Sequence, residues 1–349
     1  MRYARYLLFL LLVCTILAPA TAGAKDRTPR FTSTFMQLWD THSTWESTRW
    51  NDLFASLRAI GITEVIVQWT TSHDSAGPAS AAMAEGAQAP RRAAAPLRLH
   101  PALPLVLQAA KAQHMQVVLG LAHDPAYWDK IKSEPELVRR YLRQLGNVSL
   151  QAARAAMLLP DSKEVVSGFY IPQEIDDKTW LEPERQNVLV EYLTNLRAGL
   201  QTAAPGLPVG ISGFSNAFAE PAMLERFWQT LLKKSGIARL LFQDGVGVHK
   251  LRLQETGLFM AAAARAALQA GATLTPVVEV FRQVDGPPVN DKPFRAVPAG
   301  MSGLQRQLAI ASAQPHAGIA AFSLPEYCSP YGIKGAASLY AQYKAYIRR

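Results

Sequence analysis

Two patterns take turns along this chain. Short runs of consecutive apolar residues alternate with longer stretches in which apolar positions return every third or fourth residue. The first pattern predicts strands buried on both faces, and the second predicts helices with one buried stripe. Arg30 to Trp39, rich in Phe and Thr, predicts the first strand. A helix from about Trp45 to Ile60 follows, and Gly61 stops it. The next strand is Glu64 to Trp69, then a helix from Ala102 to His114 and a third strand, Gln116 to Leu121. A helix from Glu134 to Met157 leads to the fourth strand, Val165 to Ile171. The alternation continues with helix Glu184 to Ala203, strand Pro208 to Ser212, helix Pro221 to Lys234 and strand Ala238 to Gln243. It ends with helix Leu253 to Ala270, strand Thr273 to Val280, helix Met301 to Ala313, strand Gly318 to Leu324 and helix Ala336 to Ile347.

That order is eight strand–helix units, which predicts an α/β protein with a single closed (β/α)8 TIM barrel. A doubly wound open sheet would place a Gly-rich turn after its first strand. Leu38-Trp39-Asp40-Thr41 is not one. Chemistry should then sit where strands end and the following loops begin. One segment breaks the alternation: residues 71–96 are dominated by Ala, Pro, Gly and Ser and carry too few large apolar residues to pack. It is read as a flexible insertion after the second strand, on the active face, where it could also act as a lid.

The first 24 residues read differently from the rest. Arg2 and Arg5 precede an apolar run from Leu7 to Leu17, and Ala20-Thr21-Ala22 and Ala22-Gly23-Ala24 offer small-x-small cleavage sites. This is the pattern of a secretory signal, and the run is shorter than a spanning helix needs. Residues 1–24 are therefore expected to leave, with residues 25–349 forming the barrel domain in the bacterial periplasm or outside the cell, without stable membrane insertion. Cys14 would go with the signal, and Cys328 alone cannot form an internal bridge. The formal charge of +9 falls to +7 once Arg2 and Arg5 are removed. Its basic residues are scattered and accompany no nucleic-acid motif, so the excess reads as solubility and nucleic acid is not an expected partner.

The strand ends have a consistent chemistry. They carry Gln37, Trp39 and Asp40; Gln68 and Trp69; His123 and Asp124; Gln173 and Glu174, followed by Trp180; Gln243, Asp244 and His249; Glu279; and Ser323 with Tyr327. Amides and carboxylates suit a ring of hydroxyls, and indoles suit the C–H face of a sugar. No clustered His and Cys mark a metal site, and no Gly-rich turn marks a phosphate site, so neither a metal nor a cofactor is expected. Glu174 follows the fourth strand, and Glu279 sits among Val277, Val278, Val280 and Phe281, where burial is costly. Glycoside hydrolysis needs such a pair of carboxyl groups, one protonated for the leaving oxygen and one ionised.

These residues carry a resemblance. Catalytic glutamates at the ends of strands four and seven resemble the clan A arrangement of retaining TIM-barrel glycoside hydrolases. Phe35-Met36-Gln37-Leu38-Trp39, Val65-Ile66-Val67-Gln68-Trp69, Gly168 to Glu174 and Phe242 to Gly247 are similar to a bacterial secreted family within that superfamily, filed as a domain of unknown function. The resemblance implies Glu174 as acid/base and Glu279 as nucleophile. It also has departures: Gln173 stands where the clan usually has Asn, Gln68-Trp69 where it commonly has Arg, and Phe322 and Tyr327 near a missing Trp.

The expectation is an exported hydrolase of a poly- or oligosaccharide that works by double displacement, with carboxyl groups about 5–5.5 Å apart. Trp39, Trp69 and Trp180 would stack on sugar rings, with Gln37, Asp40, Gln68, Gln173, Gln243, Asp244, His249 and Tyr327 as further contacts. Asp244 is a rival carboxylate, and His249 could tune either partner. The alternative is a non-catalytic sugar-binding barrel that assists exopolysaccharide export or assembly. Ester removal through Ser323 is a third reading, without a convincing His to support it.

Overall fold

Eight parallel strands close into a barrel in the order β1-β10-β7-β6-β5-β4-β3-β2. They are β1 (Ser33–Met36), β2 (Glu64–Val67), β3 (Gln116–Gly120), β4 (Val166–Ile175), β5 (Val209–Gly213), β6 (Arg239–Gln243), β7 (Thr273–Glu279) and β10 (Ala320–Phe322). The structure is a computed structural model that describes residues 28–71, 97–286 and 294–348. The expected signal segment, and the 71–96 insertion beyond Thr71, lie outside the described residues.

Helices follow the strands as the periodicity predicts, within one or two residues at most ends. In the helix Pro135–Ala156, Val138, Tyr141, Leu142 and Leu145 recur on one face and are buried. The outer core lies between such helix faces and the outward side chains of the strands. Two further strands, β8 (Phe281–Gln283) and β9 (Ala296–Pro298), form a small antiparallel pair after β7. Each is three residues long, too short for alternation to show in the sequence.

Inside the barrel sits a separate apolar layer. Phe35, Ile66, Val118, Tyr170, Leu241, Val277 and Ala320 come from seven strands and pack on one another. β5 completes the ring with Ser212, whose hydroxyl accepts a 2.9 Å bond from Tyr170. Strand side chains repeat every two residues, so the next layer toward the loops is fixed by counting. Two positions on lie Gln37, Gln68, Gly120, Gln243, Glu279 and Phe322. The apolar plug thus hands over to a polar mouth within one step of the pleat. Gly120 is small for a reason: a Cβ there would lie 2.2 Å from the carbonyl oxygen of Val67.

β4 runs further than its sequence suggests. Pairing with β5 shifts register between Ile171 and Ile175, and the strand continues through Glu174. Pro172 and Gln173 masked that continuation, since proline marks strand ends more often than interiors. Glu174 is therefore a residue of the barrel wall instead of the loop after it.

Candidate active site

The mouth is assembled from side chains that the pleat turns inward. Gln37 donates through Nε2 to Gln68 Oε1 at 2.7 Å, joining β1 to β2. Gln243 donates through Nε2 to Glu174 Oε1 at 2.7 Å, joining β6 to β4. Glu279 ends β7, and its Oε2 accepts the Val248 N–H at 2.9 Å. Gly247 permits that approach, because a Cβ on it would fall 2.8 Å from Glu279 Cβ and 2.5 Å from the Phe281 carbonyl. The loop after β6 is therefore wrapped over the Glu279 carboxyl.

Asp244 lies beside this pair, pointing outward by the same alternation. Its Oδ1 accepts the Glu279 N–H at 3.3 Å and the Val246 N–H at 3.2 Å. Its Oδ2 accepts Gln307 Nε2 at 2.7 Å, and the same amide reaches the Glu279 carbonyl at 3.2 Å. Gln307, from the helix Met301–Ser312, thus ties the two acidic residues to the outer layer.

Burial dominates the electrostatics. It raises Glu174 above the usual carboxylate range, opposed by Lys250 and by the Gln243 bond. It pushes Glu279 up to about 8, helped by the neighbouring Asp244 charge and opposed by the Val248 N–H and Lys250. It pushes Asp244 up to about 6, opposed by Gln307. Burial and the neighbouring Asp244 charge both favour the protonated form of Glu279. Removing like charge from Glu279, or adding positive charge, would ionise it at lower pH.

Lys250 was not singled out by the sequence, and the structure brings it into this group. Its ammonium lies 3.2 Å over the centroid of the Phe214 ring. Burial lowers its pKa, opposed by attraction to Glu174, Glu279, Asp176 and Asp177. Its signal in the chain is position alone, as the lysine in the long loop after β6. Asp177 is fully buried and accepts Ser215 Oγ at 2.6 Å and the Asn216 N–H at 2.8 Å, locking the end of β4 to the end of β5.

Aromatic side chains line two parts of the rim. Trp69 is buried, donates from its indole to the Leu38 carbonyl at 3.0 Å, and stacks on His123 with centroids 4.9 Å apart. Trp39 packs edge-on against Trp69 and keeps 41% of its surface exposed. Trp128, also exposed, contacts Phe214 across 5.8 Å near Lys250. Tyr327 packs on Phe281 at 5.1 Å, beside the β8–β9 pair.

Some expected contacts are elsewhere. Trp180 is fully buried in the outer core and has no face for a sugar. Gln173 points away from the mouth: it donates to the Ala122 carbonyl at 2.9 Å and accepts Tyr192 Oη at 2.9 Å. Its neighbour Glu174 points in, as adjacent strand residues must. Asp40 is exposed on the turn Asp40–Thr44. His249 is exposed and lies 3.1 Å from the Gln283 carbonyl, turned toward β8 instead of the carboxylates. Ser323 bonds Glu326, and among the described residues no histidine hydrogen-bonds it. Among the described residues, no group of three His, Cys, Asp or Glu could hold a metal ion. No helix among them is long and apolar enough to cross a membrane.

Comparison with known proteins follows the same lines. The profile of a domain of unknown function, DUF4434, matches residues 31–334. The protein YbcH of Escherichia coli K12 is 27% identical over 268 residues, covering 74% of this chain and 78% of its own. A crystal structure from Bacteroides thetaiotaomicron, assigned as an alpha-L-fucosidase, superposes with a TM-score of 0.69 at 18% identity, over 97% of this chain and 99% of that one. A beta-galactosidase from Marinomonas ef1 superposes with a TM-score of 0.56 at 11% identity, over 90% of this chain and 58% of that one. At these identities the structural likeness establishes the barrel and leaves chemistry to the site.

Proposed function

The chain belongs to the DUF4434 family, and on that premise we propose that it is an exported glycoside hydrolase acting on a poly- or oligosaccharide. One observation carries the reading: Glu174 and Glu279, from opposite flanks of Gln243, share the inner face of the mouth, and burial raises both. Glu174 is the proton donor to the leaving oxygen, since burial raises its carboxyl above the usual range and so favours the protonated form. Glu279 is the nucleophile, and the Val248 N–H steadies its carboxylate once the proton leaves. Lys250 supplies the positive charge that favours this ionised form. Gln37, Gln68, Trp39 and Trp69 form the rim that holds the sugar. The two structural neighbours named above act on glycosides by their descriptions, which supports the same substrate class. The signal-like residues 1–24 support a periplasmic or extracellular site of action.

The burial that disfavours an ionised Glu279 supports one other reading, a barrel that binds glycan without cleaving it. A reducing-end release assay separates the two. The mature protein is incubated with neutral, amino and acidic polysaccharides across pH 5–9, beside Glu174→Gln and Glu279→Gln. Release by wild type that collapses in both variants supports hydrolysis. Glycan binding without release at any pH, unchanged in Glu279→Gln, supports the binding reading and ends the catalytic one.

A further inference from the structure

The Lys250 ammonium has donors that the protein does not use. It lies over the Phe214 ring and makes no hydrogen bond or ion pair with any described residue. The side chain is half-buried, yet its nitrogen is not sealed in. The buried nitrogen and oxygen atoms that lack a partner are all on other residues, so solvent reaches this one. A ring face attracts an ammonium but accepts none of its three N–H bonds.

The acidic groups around it are engaged elsewhere. Asp177 accepts Ser215 Oγ at 2.6 Å and the N–H groups of Asn216 and Ala219 at 2.8 and 3.2 Å. Asp176 accepts the Thr179 N–H at 2.8 Å, Thr179 Oγ1 at 3.1 Å and Asn216 Nδ2 at 3.3 Å. Glu174 accepts Gln243 Nε2, Glu279 accepts the Val248 N–H, and burial favours the neutral form of both. His249, the neighbouring residue, turns to the Gln283 carbonyl. These carboxyl groups attract Lys250 through space and leave its donors open.

The place of this ammonium in the barrel gives it a use. Phe214 directly follows β5, which lies four strands from β1 in either direction round the ring. Phe214 and the 37% exposed Trp128 therefore stand across the mouth from Trp39 and Trp69, with Glu174 and Glu279 on strands between them. An aromatic wall beside a cation suits a sugar ring that carries an anionic group. A neutral hydroxyl would also accept an N–H bond, but a charge-assisted bond is about twice as strong. A dianionic phosphate would bring a second negative charge toward four acidic residues with one cation to meet it. The net charge of +9 supplies a field of the matching sign. Resting on the hydrolase reading of the mouth, we infer that Lys250 determines specificity: it takes the monoanionic substituent, carboxylate or sulfate, of an acidic sugar unit seated against Phe214 and Trp128. The substrate class is then an acidic glycan.

The test is calorimetric titration in the Glu174→Gln background, with and without a second change at Lys250. The ligands are oligomers of galacturonate, mannuronate and glucuronate, each beside its methyl ester, and a sulfated galactan oligomer beside its desulfated form. At least one acidic oligomer is expected to bind about tenfold or more tighter than its neutral partner. That ratio should fall toward one in Lys250→Met, survive largely in Lys250→Arg, and shrink with added salt. The pair that shows it identifies carboxylate or sulfate. Equal affinity within every pair, or no binding of any oligomer, overturns the inference. So does a preference for the acidic form that Lys250→Met leaves unchanged, or a loss in Lys250→Met that falls equally on both members of a pair. Failure of the hydrolase reading looks different: the preferred acidic oligomer would bind in a Lys250-dependent way and release no reducing ends with wild type. Cleavage of neutral glycans without an acidic preference would keep the hydrolase and end this inference.

Discussion

The β4–β6–β7 side of the mouth and the β1–β2–β3 side are built from the same strand ends and carry opposite electrostatics. On the first side, Glu174, Glu279 and Asp244 are buried together, and burial displaces the pKa of each. On the second, Gln37 and Gln68 bond each other, Trp69 bonds the Leu38 carbonyl, and Trp39 is 41% exposed. One side stores unfavourable charge burial, and the other is neutral and satisfied. A fold keeps the first arrangement at the expense of stability, which is the pattern expected of reacting groups. The second is the pattern expected of a surface that holds substrate.

The largest expected effect separates the sides directly. Glu174→Gln and Glu279→Gln should each lower kcat by about 10²–10⁴-fold or more in the reducing-end assay, with the fold intact by circular dichroism. Trp180→Ala should instead cost about 3–5 kcal/mol in denaturant unfolding, because that indole belongs to the core. Loss of sugar affinity in Trp180→Ala without loss of stability would return it to the site.

That contrast also shows how much was legible in the chain. The barrel was, because eight apolar runs separated by helical stretches leave few other closures. The burial of Glu279 was legible, because Val277, Val278, Val280 and Phe281 surround it in the chain. The side of the wall on which a residue falls was legible only where the strand itself was. Glu174 and Gln173 differ by one position, and the pleat of a strand that continues to Ile175 decides which faces inward. Trp180 was misread because tryptophan serves cores and sugar sites alike. Lys250 was missed because nothing local distinguishes a loop lysine that the fold later surrounds with carboxylates.

The stored charge burial should appear in stability. The folded protein keeps Glu279 protonated up to about 8, against 4.5 for an ordinary Glu, so the folded state binds the extra proton across that window. Stability contributed by this group is therefore full below about pH 4.5 and is lost as pH rises toward 8. Glu279→Gln removes the loss, so its Tm should exceed that of wild type at pH 8 and converge with it near pH 5. A Tm difference that grows on acidification would contradict the assignment.

Smaller shifts sharpen the same side. Asp244→Asn removes the charge that raises Glu279 and should move the ascending limb of kcat/KM to lower pH. Lys250→Met removes the charge that lowers it and should move that limb to higher pH, each by about one pH unit. Shifts of the same sign would break the electrostatic account. On the opposite side, Trp39→Ala should raise KM by up to about tenfold with kcat and the pH profile unchanged.

The central claim is that Glu279 attacks the sugar while Glu174 gives the proton. The most direct measurement is intact-mass and peptide mass spectrometry after incubation with a 2-deoxy-2-fluoro glycosyl fluoride of the sugar that the protein releases. The account predicts one glycosyl adduct per chain, on Glu279, formed faster above pH 8 and absent in Glu279→Gln. An adduct on Asp244 or Glu174, or hydrolysis of the reagent with inverted configuration and no adduct, would contradict it.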